Sequence, residues 1–222
     1  FALAQFRLKA AVDANDKAAM IAGLQATIDS GFLAPAETVP QYFYLGRLHF
    51  EAKSYDPAAA AFERIVAIDP SHVDGTIMLA ESRRGQGRNA EAVSLIEKAI
   101  AAKTAAGQKA DESWYKRATA LAFEAKLPSA PELSRQWVAA YPSAKTWRDA
   151  IRIYQTTGQI DDNALLDTMR LANALGALAG ETDYFRYTDA LVKKGFAGEA
   201  KLVLEQGFAA KAIDKNRGTF SQ

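Results

Sequence analysis

Two imidazoles, His49 and His72, are the only side chains in the sequence suited to act as a general base near neutral pH or as a nitrogen ligand to a metal. They stand 23 residues apart, and no third or fourth ligand accompanies either at the spacing a zinc site requires. The chain has no cysteine, which excludes disulfides, thiolate metal sites and cysteine nucleophiles together. The acidic pairs Asp161-Asp162 and Asp69…Asp74 lack the alternating oxygen ligands and closing glutamate of a calcium loop, so they read as helix caps and turn residues. Gly85-Gln86-Gly87 has no strand before it and no Lys-Ser/Thr after it, so it reads as a turn rather than a phosphate cradle. No Gly-x-Ser-x-Gly elbow occurs. The expectation is a protein without catalytic residues, metal site or cofactor.

The charge balance points the same way. Twenty-seven Lys+Arg against 26 Asp+Glu give a formal charge of +1 over 222 residues, which lacks the basic footprint of a nucleic-acid binder. Hydrophobic residues make up 49% and charged residues 24%, enough to build a core. No run approaches the roughly 18 apolar residues of a membrane span. Position 1 is Phe, as expected of a processed chain or a fragment, and removal of an export signal is one route to it.

The elements that position any site are helices. Apolar residues recur at three- and four-residue spacing, and alternating β-branched runs are missing. Breaks at Asp13–Asp16, Gly31–Pro40, Ser54–Pro57, Asp69–His72, Gly85–Asn89, Gly107–Asp111, Leu127–Pro131, Tyr141–Ser143, Thr157–Asp162, Leu178–Glu181 and Gly195–Ala197 divide the chain into about twelve helices. Asp56 before Pro57, Asp111 and Asp161 are placed to cap helix starts. The short breaks imply antiparallel neighbours, and a repeat is visible in them. Tyr42, Leu45, Gly46, Ala58, Phe62 and Pro70 form one helical hairpin; Thr76, Leu79 and Ala92 fall 34 residues after Tyr42, Leu45 and Ala58. Looser units carry Trp114, Ala118, Leu121 and Ala130, then Trp147, Ile151 and Tyr154, then Tyr184, Leu191, Ala200 and Leu204.

Residues 39–106 resemble the tetratricopeptide repeat family, and 111–210 resemble degenerate repeats of it. The resemblance implies an all-α, right-handed superhelical solenoid of about six hairpins spanning 1–222 as a single domain, with a divergent hairpin at 1–38 and a polar tail at 211–222. It also implies that His49 stands where an aromatic usually packs, whereas His72 is expected to be solvated. The string Tyr141-Pro142-Ser143, Trp147-Arg148-Asp149, Thr168-Met169-Arg170-Leu171-Ala172 and Glu205-Gln206-Gly207-Phe208-Ala209 is similar to uncharacterised exported tetratricopeptide proteins of alphaproteobacteria. That similarity implies a periplasmic or cell-envelope address, with the cytoplasm as the alternative; docking onto a larger envelope complex is expected as the other mode of use beside groove binding.

By the same resemblance, the concave face of the first helices binds a protein or extended peptide. The residues expected there include Phe43, Arg47, Glu81, Arg84, Tyr115, Arg148, Arg152 and Phe185. Arginines and aromatics are the usual anchors of protein interfaces. No unit carries the Lys/Asn pair with which some family members clamp acidic chaperone tails, so that clamp is disfavoured. The alternative expectation is an assembly subunit held by its convex face or ends. Phe6, Leu8, Met20, Phe208 and Phe220 are expected to stand unstacked near those ends.

Overall fold

The computed structural model describes residues 1–214, which form twelve α-helices with no strand among them. Lys215, Asn216, Arg217, Gly218 and Phe220 lie outside the described residues. The chain divides into two compact units, Phe1–Pro128 and a second beginning at Ser129. The first holds α1 (Ala2–Asp13), α2 (Lys17–Asp29), α3 (Pro35–Glu51), α4 (Tyr55–Ile68), α5 (Val73–Gly85), α6 (Asn89–Ala105) and α7 (Glu112–Glu124). The second holds α8 (Ala130–Ala140), α9 (Ala144–Thr157), α10 (Asp162–Ala174), α11 (Gly180–Lys193) and α12 (Ala197–Ala209).

Within the first unit the pairs α1–α2, α3–α4 and α5–α6 are hairpins, and each is joined to the next by α2–α3, α4–α5 and α6–α7 packing. Small residues set the spacing. A Cβ built on Gly46 would lie 2.7 Å from the Phe62 ring, so only glycine lets α3 and α4 close to this distance. Phe62 is fully buried with Ala58, Ala59, Ile65 and Leu79. Met20, expected at an exposed end, is instead buried with Leu24, Leu45 and Leu48, because α3 covers that side of α2. Phe6 stays 71% exposed, as expected.

In the second unit α10 contacts both α9 and α11. Ile151, Ala172 and Ala177 form one core, against which Trp147 and Leu178 pack. Leu166, Met169, Tyr184, Tyr187, Leu191, Ala200 and Val203 form another, and Phe208 packs partly buried on it rather than standing free.

Three helix starts differ from expectation. Pro35 takes the first turn of α3, where its missing N–H costs nothing, and the helix runs on through Pro40. Ser54 rather than Asp56 precedes α4; Asp56 sits in the first turn and accepts a hydrogen bond from Gln86 Nε2 at 2.7 Å. Asp111 precedes α7 but its carboxylate caps no N–H. Asp161 does cap α10, accepting from the Ala164 N–H at 2.8 Å.

The most elaborate cap opens α9. Ser143 Oγ accepts from the Thr146 N–H at 3.1 Å, while the Ser143 N–H donates to Thr146 Oγ1 at 2.9 Å. The Thr146 hydroxyl donates back to the Tyr141 carbonyl at 2.8 Å. Ser143→Ala removes one acceptor and is expected to cost about 1 kcal/mol of unfolding free energy. Urea titration followed by circular dichroism measures it, and an unchanged midpoint would remove the cap from the account.

Candidate partner-binding surface

The two histidines are occupied by structure. His49 lies half-buried in α3, and burial pulls its imidazole below the usual value, favouring the neutral ring. His72, expected to be solvated, is the N-cap of α5: its Nδ1 accepts from the Gly75 N–H at 2.9 Å and its ring lies 5.9 Å from that of Phe43. Among the described residues no group of three His, Asp or Glu gathers at ligating distance.

The eight residues expected on the groove fall into two sets. In the first unit, the half-buried Phe43 meets Phe62 edge-on at 5.8 Å, so much of its ring is spent on the hairpin core. Tyr115 is only 6% exposed and contributes its area to the interior. Glu81, 8% exposed, holds Arg84 at 3.0 Å across one turn of α5 and Arg117 from α7. Arg47 is exposed and stands 3.7 Å from Glu51, which also holds Lys17 at 2.9 Å. These arginines are partly neutralised by neighbouring carboxylates.

In the second unit Arg148 and Arg152 of the expected set share one cleft, which Phe185 does not line. Arg148, Ile151, Arg152 and Gln155 share one face of α9, with Ile151 and Arg152 three and four residues after Arg148 and Gln155 four and three residues after them, and form one wall. Met169 and Ala172 of α10 form the floor, with Ala177 and Leu178 after it. Asp183 and Arg186 of α11 form the opposite wall, and the cleft encloses about 240 Å³. Arg148 is fixed in place, its Nε donating to the Ala177 carbonyl at 2.6 Å. Arg152 leans 3.5 Å from Asp149, which Lys145 approaches at 3.2 Å. Asp183 is turned to its own backbone, accepting from the Ala179 N–H at 2.7 Å. Phe185, also on α11, is 39% exposed beside a neighbouring recess shared with Arg186.

No protein-family profile and no curated protein matches the chain by sequence. Solved structures match its fold. A crystal structure of MamA aligns at TM-score 0.52 and 16% identity, covering 81% of this chain and 98% of that one. A tetratricopeptide repeat protein from Parabacteroides merdae aligns at TM-score 0.55 and 10% identity, covering 93% and 78% respectively. YrrB, described as a TPR protein with an unusual peptide-binding site, aligns at TM-score 0.51 and 12% identity over 84% of this chain and 91% of its own. The fold is that of tetratricopeptide repeat proteins.

Counting along tetratricopeptide hairpins includes Arg148 and Arg152 of this cleft but not Arg186. The family's groove count lands on Phe185, one residue before Arg186. A local signal was available. Tyr184, Tyr187 and Leu191 mark the buried stripe of α11, and Asp183 and Arg186 flank it together at three-residue spacing.

Proposed function

We propose that the chain is a non-catalytic interaction protein that holds a protein or extended peptide through the first-helix surfaces of its tetratricopeptide hairpins. The observation that supports this most is the cleft of the second unit, where Arg148, Arg152 and Arg186 converge over an apolar floor. Guanidinium groups around a recess are a recurrent form of interface anchor. Phe43, Arg47, Glu81, Arg84, Tyr115 and Phe185 remain in the proposal as the outlying parts of the surface, with Tyr115 and Glu81 supporting it from within. The peptide-binding site named for YrrB is in keeping with this use of the fold. A periplasmic or cell-envelope address, and docking onto a larger complex there, extend the proposal on the strength of the 141–209 resemblance. Among the described residues no helix is long and apolar enough to cross a membrane.

A second reading, an assembly subunit held by its ends, is favoured by the first hairpin. Leu3, Phe6 and Phe32 are 62%, 71% and 71% exposed, and Leu3 lines a recess of about 680 Å³ together with several alanines of α1 and α2.

Crosslinking and affinity capture from the native host separates the two. A partner lost when Arg152→Glu and Arg186→Glu are combined, with helix content unchanged, is the expected result. A partner kept by that variant and lost from Leu3→Ser with Phe6→Ser would replace the groove reading with the assembly reading.

A further inference from the structure

The cleft is unusual in its charge balance. Arg148 uses Nε on the Ala177 carbonyl and makes no ion pair among the described residues. Arg186 is exposed and likewise has no ion-pair partner among them. Arg152 has one long contact, to a carboxylate already approached by Lys145. The lining acid, Asp183, is committed to the Ala179 N–H at the start of α11. Three guanidiniums thus stand around a recess lined by a single carboxylate, Asp183, with Asp149 beside Arg152, so cationic groups outnumber acids there. They are divided between two walls, Arg148 and Arg152 on α9 and Arg186 on α11. Between the walls the surface is apolar: Met169 and Ala172 are buried, and Leu178 is half-buried. The volume of about 240 Å³ is on the order of eight waters, room for a few side chains and no more.

We propose that this cleft recognises an internal acidic segment of the partner, in which carboxylates flank one aliphatic side chain. This rests on the partner-binding reading above and specifies its chemistry. The aliphatic group covers Met169 and Leu178 while the carboxylates on either side meet Arg186 and the Arg148–Arg152 pair. Guanidinium–carboxylate pairs add direction as well as attraction, which fixes the register of the bound segment. A single phosphate would concentrate its charge at one wall and leave the other unsatisfied, so carboxylates spread along a peptide suit the two-walled arrangement better.

The test uses the full chain and blocked, fluorescein-labelled heptapeptides centred on Glu-Leu-Glu, Gln-Leu-Gln or phosphoserine-Leu-phosphoserine, read by fluorescence anisotropy. The Glu-Leu-Glu peptide is expected to bind at least about tenfold tighter than the Gln-Leu-Gln peptide, and to weaken as salt rises and screening lengths shorten. Arg186→Glu is expected to weaken it about tenfold or more, whereas Lys201→Glu on α12, an equal change in net charge away from the cleft, leaves it unchanged. Equal binding of the glutamine peptide, equal effects of the two charge reversals, or no binding of the acidic peptide would each overturn the proposal. Tighter binding of the phosphopeptide would reassign the cleft to phosphate, and competition by free glutarate at concentrations equal to the peptide would reassign it to a small dicarboxylate. Failure here leaves the broader reading standing if the captured partner is still lost from the Arg152→Glu, Arg186→Glu variant.

Discussion

Gly46→Ala is expected to destabilise the first unit by about 1–2 kcal/mol, although alanine is the better helix former. Two effects oppose each other at this position. Replacing a mid-helix glycine recovers about 1 kcal/mol of backbone entropy. Against that, the new Cβ would sit 2.7 Å from Cε1 and Cζ of Phe62, well inside contact distance. The ring cannot swing aside as the end of a flexible chain could. It is fully buried among Ala58, Ala59, Ile65 and Leu79, and Phe43 meets its edge at 5.8 Å. Overpacking costs about 1–3 kcal/mol, and the upper part of that range, about 2–3 kcal/mol, applies here because the ring is enclosed and moving α3 away from α4 would open the core shared with Leu79 of α5. Urea titration followed by circular dichroism is the measurement. Phe62→Leu in the alanine background should recover part of the loss, because the smaller side chain vacates the position the Cβ needs; alone, it should destabilise by leaving a cavity. An alanine variant as stable as the parent would show that α3 and α4 are not held at the observed spacing by this contact.

That prediction was half-legible in the sequence, which shows what sequence can and cannot carry here. The positions of Tyr42, Leu45 and Ala58 recur with a 34-residue period in Thr76, Leu79 and Ala92, and this alone points to stacked hairpins. The period arises because each hairpin buries its stripe only against a neighbour, so the same small and large residues are needed at each step. What the period does not encode is polar geometry. Asp56 looks like a cap and is instead a partner for Gln86, since Pro57 fits anywhere in a first turn. His72 looks like a turn residue and is a cap. Tyr115 occupies a groove position by count, yet is 6% exposed. Arg186 lines the cleft, whereas the repeat count lands on Phe185 next to it. The helices follow from apolar spacing; which charged side chains remain uncompensated depends on contacts between residues distant in sequence.

The strongest such contact in the second unit is the one joining α10, α11 and α12, and its removal is the second large effect expected. Glu199, in the first turn of α12, accepts from Arg170 Nε at 2.9 Å, from Arg170 Nη2 at 2.7 Å and from the Tyr187 hydroxyl at 2.8 Å. The Arg170 guanidinium also lies 5.1 Å from the Phe196 ring centre. The hydrogen bonds from Arg170 hold the Glu199 carboxyl below the usual range, and the Tyr187 hydroxyl adds to this against an opposing effect of burial. Burial, followed by the bond to Glu199, pushes the Tyr187 phenol above its usual range. Glu199→Gln keeps the volume and removes the charge, and is expected to cost about 1–2 kcal/mol at neutral pH, the lower end reflecting the 32% exposure of the side chain. The pH dependence has a definite sign. A carboxyl depressed in the folded state stabilises above its unfolded value, about 4.3, and loses that contribution as pH falls through the folded value. A phenol raised in the folded state stabilises below about 10 and loses its contribution as pH rises through the folded value. The deficit of the glutamine variant should therefore be level near neutrality and shrink steadily below about pH 4.3. Tyr187→Phe should keep the larger part of the acid limb, which the Arg170 bonds carry, reduce it by the lost hydroxyl bond, and flatten the alkaline limb. A glutamine deficit as large in acid as at neutrality would show that Glu199 acts by its hydrogen-bonding pattern and not by its charge.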